Sequence, residues 1–319
     1  MEPVSQLLSP HGFPKPFQRI LVAVDPSGAS LNAIPYAGHF CSPDTQVLVL
    51  GFFEDPEAYL TPHSRTPADV SAAFDELRRD ELVALEGAQA VLQRTGAQVH
   101  KRLLGPALGN REISAGIARV ADEWNADLVV VGAEPAAGIA ALLGTKVSAA
   151  LAEHTHRAIL MIPKKATESS LHHARRILFA VDGSEASLHA VRVGMQVAPP
   201  HSSLLAIYVE DRGVDVSELE ESLLTPTPAV PRAENALAQA SAIMTELGAK
   251  GNIERRVSHT RLAEDVAATL LREAQEWEAD LVVVGAQDRH GLFSWFNGHE
   301  NERVARAIDR PLLVVNQAG

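Results

Sequence analysis

Apolar positions along this chain fall into short continuous runs, and the stretches between them carry apolar residues at helical spacing. Ile20–Val24 is a run of strand length that stops at Asp25-Pro26-Ser27-Gly28, and Ala33, Tyr36, Ala37 and Phe40 then mark a helix. Residues 46–53 predict a second strand, and the segment EDPEAYLTPHSRTPADVS, with three prolines, predicts a long loop before a helix over 74–92. A third strand is expected over 98–104. Ile113, Ile117, Val120 and Trp124 lie on one helical face, and a fourth strand follows at 127–131. A helix near 147–153 and a strand at 158–162 close the series.

The series then begins again. Strands are expected at 177–181, 204–209, 252–257, 281–284 and 312–315, with helices near 187–197, 233–247, 263–277 and 300–308. The wording recurs as well as the order. EWNADLVVVGA at 123 returns as EWEADLVVVGA at 276, a displacement of 153, and RILVAVD at 19 returns as RILFAVD at 176, a displacement of 157. The chain is a tandem duplication. Its expected divisions are a tail at 1–16, a first domain at 17–163, a polar linker at 164–175 and a second domain at 176–319.

Strands alternating with helices need crossover connections, and strands that read as unbroken Leu/Val runs are buried on both faces. Each repeat is therefore an α/β domain with a doubly wound, Rossmann-like parallel sheet. In such a sheet ligands bind beyond the carboxyl ends of the strands, near the switch in strand order. The first repeat offers Asp25, Ser27 and Gly28, then Phe52, then the loop from Gly132 to Thr145. The second offers Asp182, Gly183 and Ser184, then Tyr208, then the loop from Gly285 to His299. An acceptor after the first strand could read an adenine or ribose edge, and a Gly-rich loop could hold phosphate. Asp25 and Asp182 read equally well as caps of the next helix.

Composition narrows the function classes. A formal charge of −12 opposes a nucleic-acid partner. No run reaches the length of a membrane helix, and the first residues lack the regions of a signal peptide, so a cytoplasmic location is expected. The single cysteine, Cys41, reads as a buried thiol in a reducing compartment. No nucleophile with a base at a readable spacing, and no Walker loop, is present.

The strings ILVAVD and ILFAVDGSEAS, the ADLVVVGA strand in both repeats, and the closing RAILMIP and RPLLVV resemble the universal stress protein family over almost the whole chain. The resemblance implies two five-stranded parallel sheets of the adenine nucleotide alpha hydrolase-like type, and intramolecular pairing of the two domains. It also implies pairing through the last strand, with a homodimer or a protein partner as further association. In some members it implies ATP binding without a conventional enzyme role.

Nucleotide-binding members carry a loop of the form G-x2-G-x9-G-[ST] after the fourth strand, and both repeats depart from it. In GAEPAAGIAALLGTKV, Gly132 fits, Pro135 replaces the second glycine, and Gly144-Thr145 arrives one residue early. Proline has no amide proton to offer a phosphate, although Gly138 could supply a substitute turn. In GAQDRHGLFSWFNGHE, Gly285 and Gly298 keep the spacing, but Asp288 replaces the second glycine and His299 the hydroxyl residue. Like charges about 4 Å apart at an effective dielectric near 20 repel by about 4 kcal/mol, so Asp288 and Glu300 would oppose a triphosphate. His290, His299, Asp288 and Glu300 admit a divalent ion. Leu292, Phe293, Trp295 and Phe296 form an apolar patch that suits a contact surface as well as a solvated loop.

The expectation is a non-enzymatic tandem stress protein that acts through pairing and through partner or ligand binding, with no cofactor assigned. The alternative is an ATP-binding sensor that holds its nucleotide in the first repeat through Asp25, Phe52, Gly132, Gly138, Gly144 and Thr145.

Overall fold

A computed structural model of the chain describes residues 17–56, 66–107, 110–133, 151, 154–164, 166, 174–210, 229–262, 264–286 and 310–316. The fold divides into two compact units, one built on Phe17–His172 and the other on His173–Gln317.

In the first unit the elements are β1 (Arg19–Val24), α1 (Gly28–Gly38), β2 (Gln46–Glu54), α2 (Pro67–Gln93), β3 (Gln98–Ala107), α3 (Asn110–Glu123), β4 (Leu128–Ala133) and β5 (Ala158–Pro163). The strand order is β3-β2-β1-β4-β5, and every neighbouring pair is parallel. The chain leaves β1 toward β2 on one side and returns to β4 on the other, so the switch point lies at the carboxyl end of β1. The central strands are buried on both faces, as their unbroken apolar runs require. By contrast β3, QVHKRLLGPA, is largely exposed at the sheet edge, where its charged side chains keep another strand from pairing.

The second unit repeats the plan with β6 (Arg176–Ala180), α4 (Glu185–Gly194), β7 (Ser203–Glu210), α5 (Ala229–Glu246), β8 (Ile253–His259), α6 (Val266–Glu276), β9 (Leu281–Ala286) and β10 (Leu312–Asn316). Its order is β8-β7-β6-β9-β10, again all parallel.

The two units share detail below the level of topology. Asp127 accepts from the amides of Gln18 and Arg19, and Asp280 accepts from those of Arg175 and Arg176. The Arg19 guanidinium donates to the Trp124 carbonyl and lies 5.9 Å from its ring centroid, while Arg176 donates to the Trp277 carbonyl at 4.4 Å from that ring. Both tryptophans therefore clamp the start of the first strand through a cation over an aromatic face. Asn125 and Glu278 both take a φ of 52° in the turn before β4 and β9.

Helix α2 begins earlier than expected. Residues 67–71 belong to the helix and not to the loop, because Thr66 caps it: its side chain accepts from the Asp69 amide, Pro67 sits at the start, and Asp69 lies in the first turn. Strands β3 and β8 run further than their apolar runs indicate, to Ala107 and His259. The helices expected near 147–153 and 300–308 lie mostly or wholly outside the described residues.

Candidate functional site

At the carboxyl end of β1 the chain turns through Asp25 into α1. Asp25 Oδ1 accepts from the Ser27 amide at 3.1 Å and from the hydroxyls of Ser27 and Ser30, each at 2.5 Å. In the second unit Asp182 Oδ1 accepts from the Ser184 amide at 2.9 Å and its hydroxyl at 2.6 Å. Both aspartates thus build the strand-to-helix turn, as Asx turns do. Among the described residues, neither uses Oδ2 in a hydrogen bond.

The two helix starts differ. Ser184 caps α4 by accepting from the Ser187 amide at 3.1 Å, and Glu185 follows in the first turn. Ser27 makes no such cap, although its hydroxyl donates to Asp25 as that of Ser184 does to Asp182. The next residue in the first unit is Gly28, and Lys164 lies across it: a Cβ at Gly28 would come within 3.0 Å of Lys164 Cε.

Gly132 and Gly285 occupy matching places in β4 and β9. A Cβ on Gly132 would stand 2.7 Å from the Ala29 carbonyl carbon, and one on Gly285 would stand 2.6 Å from the Ala186 carbonyl oxygen. Each glycine therefore lets the helix after the first strand press onto the sheet. Phe52 points to the α3 side, where a Cβ on Gly116 would meet its ring at 2.8 Å. Its neighbour Phe53 packs edge-on against Phe74 of α2, with centroids 5.1 Å apart.

Register revises the partner of Phe52. Arg19 pairs with Gln46 and Arg176 with Ser203, so Gly51 corresponds to Tyr208, and Phe52 corresponds to Val209. The helix opposite changes at the same place. Positive-φ glycines end both helices, Gly96 after α2 and Gly248 after α5, and counting back from them aligns Glu81, Leu85, Ala88 and Leu92 with Ala233, Leu237, Ala240 and Met244. All eight side chains are buried. The first unit thus has glycine on the strand and glutamate on the helix, where the second has tyrosine on the strand and alanine on the helix.

Glu81 is 2% exposed and its Oε1 has no hydrogen-bond partner. Oε1 lies 2.5 Å from where a Cβ on Gly51 would stand. Gly51 pairs with Val24, the residue before Asp25, so the carboxyl sits over the ends of β1 and β2. Burial, and secondarily the Asp25 charge, push its pKa up to about 8, against a lowering pull from the Phe52 amide. Sequence reasoning missed Glu81. The available signal was its place at steps of four, three and four in an otherwise apolar helical face, opposite an alanine in the other repeat.

A second buried carboxylate belongs to the other unit and is fully partnered. Glu273 of α6 accepts from Arg256 at 2.9 Å, Ser258 at 2.6 Å and Arg272 at 2.8 Å. Burial works to raise its pKa, but these bonds outweigh it and hold the carboxyl below the ordinary range. Cys41 is pushed up to about 11 by burial, an unreactive thiol. Among the described residues no group of three His, Cys, Asp or Glu side chains could hold a metal ion.

Gly138, Gly144, Thr145 and Gly298 lie outside the described residues. So do Pro135, Asp288, His290, His299, Glu300 and the patch at 292–296.

The universal stress protein family matches residues 16–163 and again 173–316. The chain belongs to the universal stress protein family. Two relatives each align with about one repeat. The stress response protein NhaX of Bacillus subtilis is 26% identical over 169 residues, covering 45% of this chain and 98% of the relative. The universal stress protein MJ0531 of Methanocaldococcus jannaschii is 30% identical over 152 residues, covering 45% and 82%. A solved universal stress protein from Archaeoglobus fulgidus covers 94% of this chain and 96% of its own at 16% identity and a TM-score of 0.63, a likeness of fold. As a tandem universal stress protein, the chain carries a Rossmann-like α/β domain in each repeat. Among the described residues no helix is long and apolar enough to cross a membrane.

Proposed function

We propose that this tandem universal stress protein is a non-enzymatic stress-response protein that acts by pairing its repeats and by binding a partner or ligand, with the binding site at the strand ends of the first unit. The observation that carries this reading is the inequality of the two clefts. Gly51 and Glu81 leave an unsatisfied polar group at the ends of β1 and β2, and Tyr208 and Ala233 replace both in the second unit. A buried acceptor without a partner costs roughly 1–3 kcal/mol, which a ligand that supplies the partner returns. The loop sequences agree with a role other than triphosphate chemistry, since Pro135 and Asp288 stand where a phosphate loop needs glycine.

One observation favours a second reading, ATP held in the first unit. The α1 start has Gly28, no side-chain cap and the Lys164 side chain across it, whereas α4 starts with a capped amide and Glu185. An anion is better received at α1 than at α4. Native mass spectrometry of the full chain with millimolar ATP, with phosphate release followed in the same sample, separates the readings. The first expects an unchanged mass and no phosphate release. A nucleotide increment that Lys164→Glu removes would establish the second, and steady phosphate release would overturn the non-enzymatic reading.

A further inference from the structure

Two carboxyl groups lie near each other at the strand ends of the first unit. Asp25 is exposed, and its Oδ1 is committed to Ser27 and Ser30 while Oδ2 makes no hydrogen bond among the described residues. Glu81 is 2% exposed, with Oε1 unpartnered beside Gly51. Neighbouring parallel strands are about 4.8 Å apart, and Asp25 follows Val24, the register partner of Gly51, so the two acids share one corner of the sheet.

No ion pair joins either acid to a described cation. Lys164 lies across Gly28, on the α1 side. Among the described residues, Leu85 Cγ lies beside the same position over Gly51, and the Phe52 amide donates to the Glu81 carboxyl. The Phe52 amide serves the carboxyl but Oε1 is left without a donor, and an acceptor left dry in the interior is the costly half of an unmade bond.

We infer that the corner formed by Asp25, Glu81 and Gly51 is a binding site for a primary ammonium or guanidinium group of a small basic ligand. Such a group brings several N–H donors and a positive charge, which suit an exposed carboxylate with a free oxygen and a buried carboxyl with an unpartnered one near it. The missing side chain at Gly51 leaves the space in which the Glu81 carboxyl stands. The formal charge of −12 draws a cation toward the chain from a distance. The second unit lacks the pair, since Ala233 takes the place of Glu81 and Tyr208 that of Gly51.

This inference rests on reading the first unit as a ligand-binding domain and names the chemistry of that ligand. Calorimetric titration of the full chain with agmatine at pH 7, in two buffers of different ionisation enthalpy and without nucleotide, tests it. The expected result is saturable binding with release of a proton, because the cation lets Glu81 ionise beside Asp25. Glu81→Gln is expected to weaken binding by about tenfold or more and to abolish the proton release. Tetramethylammonium, a cation without N–H donors, is expected to bind far more weakly. Absence of saturable heat, equal affinity in Glu81→Gln, or equal affinity for tetramethylammonium would overturn the inference. Uptake of another ligand or a partner by chain that ignores agmatine would leave the binding reading standing, and phosphate release from ATP would remove the non-enzymatic reading without touching this titration.

Discussion

The carboxyl of Glu81 stands where a side chain on Gly51 would begin, with Oε1 2.5 Å and Cγ 3.0 Å from the position of a Cβ there. Leu85 Cγ, at 3.1 Å, closes the other side. The glycine and the glutamate are one feature, and the second unit has Tyr208 and Ala233 at the corresponding positions.

Gly51→Ala is therefore expected to destabilise the first unit by about 1–3 kcal/mol, as overpacking of a filled site does. The double variant Gly51→Ala, Glu81→Ala should recover most of that loss. Denaturant unfolding of the single and double variants measures the coupling, and additive effects would show that the two residues do not share the space.

The raised pKa of Glu81 has a defined sign for stability. With a folded value of about 8 and an ordinary value of 4.5, the folded state binds the proton more tightly than the unfolded one. Stability of the first unit then falls as pH rises from about 4.5 to about 8, by up to about 1.4 kcal/mol per pH unit, and levels above that. Glu81→Gln removes this slope. Melting temperatures of both proteins between pH 5 and about 9 should diverge upward in favour of the variant; parallel curves would refute the assignment.

The opposite sign holds for Glu273. Its carboxyl is held below the ordinary range by Ser258, Arg256 and Arg272, so its contribution is present at neutral pH and is lost as pH falls below the ordinary carboxylate range. Glu273→Ala is expected to cost about 1–3 kcal/mol, because Ser258 and two guanidinium groups lose a buried acceptor while Arg256 keeps Glu254 and Arg272 keeps Glu264 and Glu276. In the first unit the corresponding positions are Leu104 and Val120, so Ser258→Leu with Glu273→Val should cost less than Glu273→Val alone. Chemical unfolding at neutral pH compares them.

Gly132 and Gly285 are predicted to matter for folding whether or not any ligand is present. Alanine at either place brings a Cβ within 2.7 Å or 2.6 Å of helix backbone, which cannot give way as a side chain can. A loss of roughly 3 kcal/mol is expected in the unit concerned. Unchanged unfolding of ligand-free Gly132→Ala would assign that glycine to ligand contact alone.

The strands and most helices were legible in the sequence because buried parallel strands are nearly pure Val, Leu and Ile, and duplication states every pattern twice. The start of α2 was hidden by a Pro-rich stretch in which Thr66 and Pro67 are a cap and a first turn and not a continued loop. Asp25 and Asp182 were readable as both ligand and turn residues, and their bonds to Ser27, Ser30 and Ser184 give them the turn role at least. Glu81 was not legible. A carboxylate in a helix reads as solvent-facing until its partner strand is known, and that partner is fixed by a register between distant segments. For the same reason Tyr208 was matched to Phe52, one residue away from its counterpart Gly51.

The central claim is that two repeats with one fold carry unequal sites, and that the first is built on a buried carboxyl that releases its proton when a cationic ligand binds. Carbon-13 NMR of side-chain carboxyls in the full chain, with Glu81→Gln used to assign the signal, reads that proton directly. The account predicts a Glu81 titration centred near pH 8 that moves to lower pH when agmatine is added. A signal that titrates in the ordinary carboxylate range near 4.5, unchanged by agmatine, would contradict it.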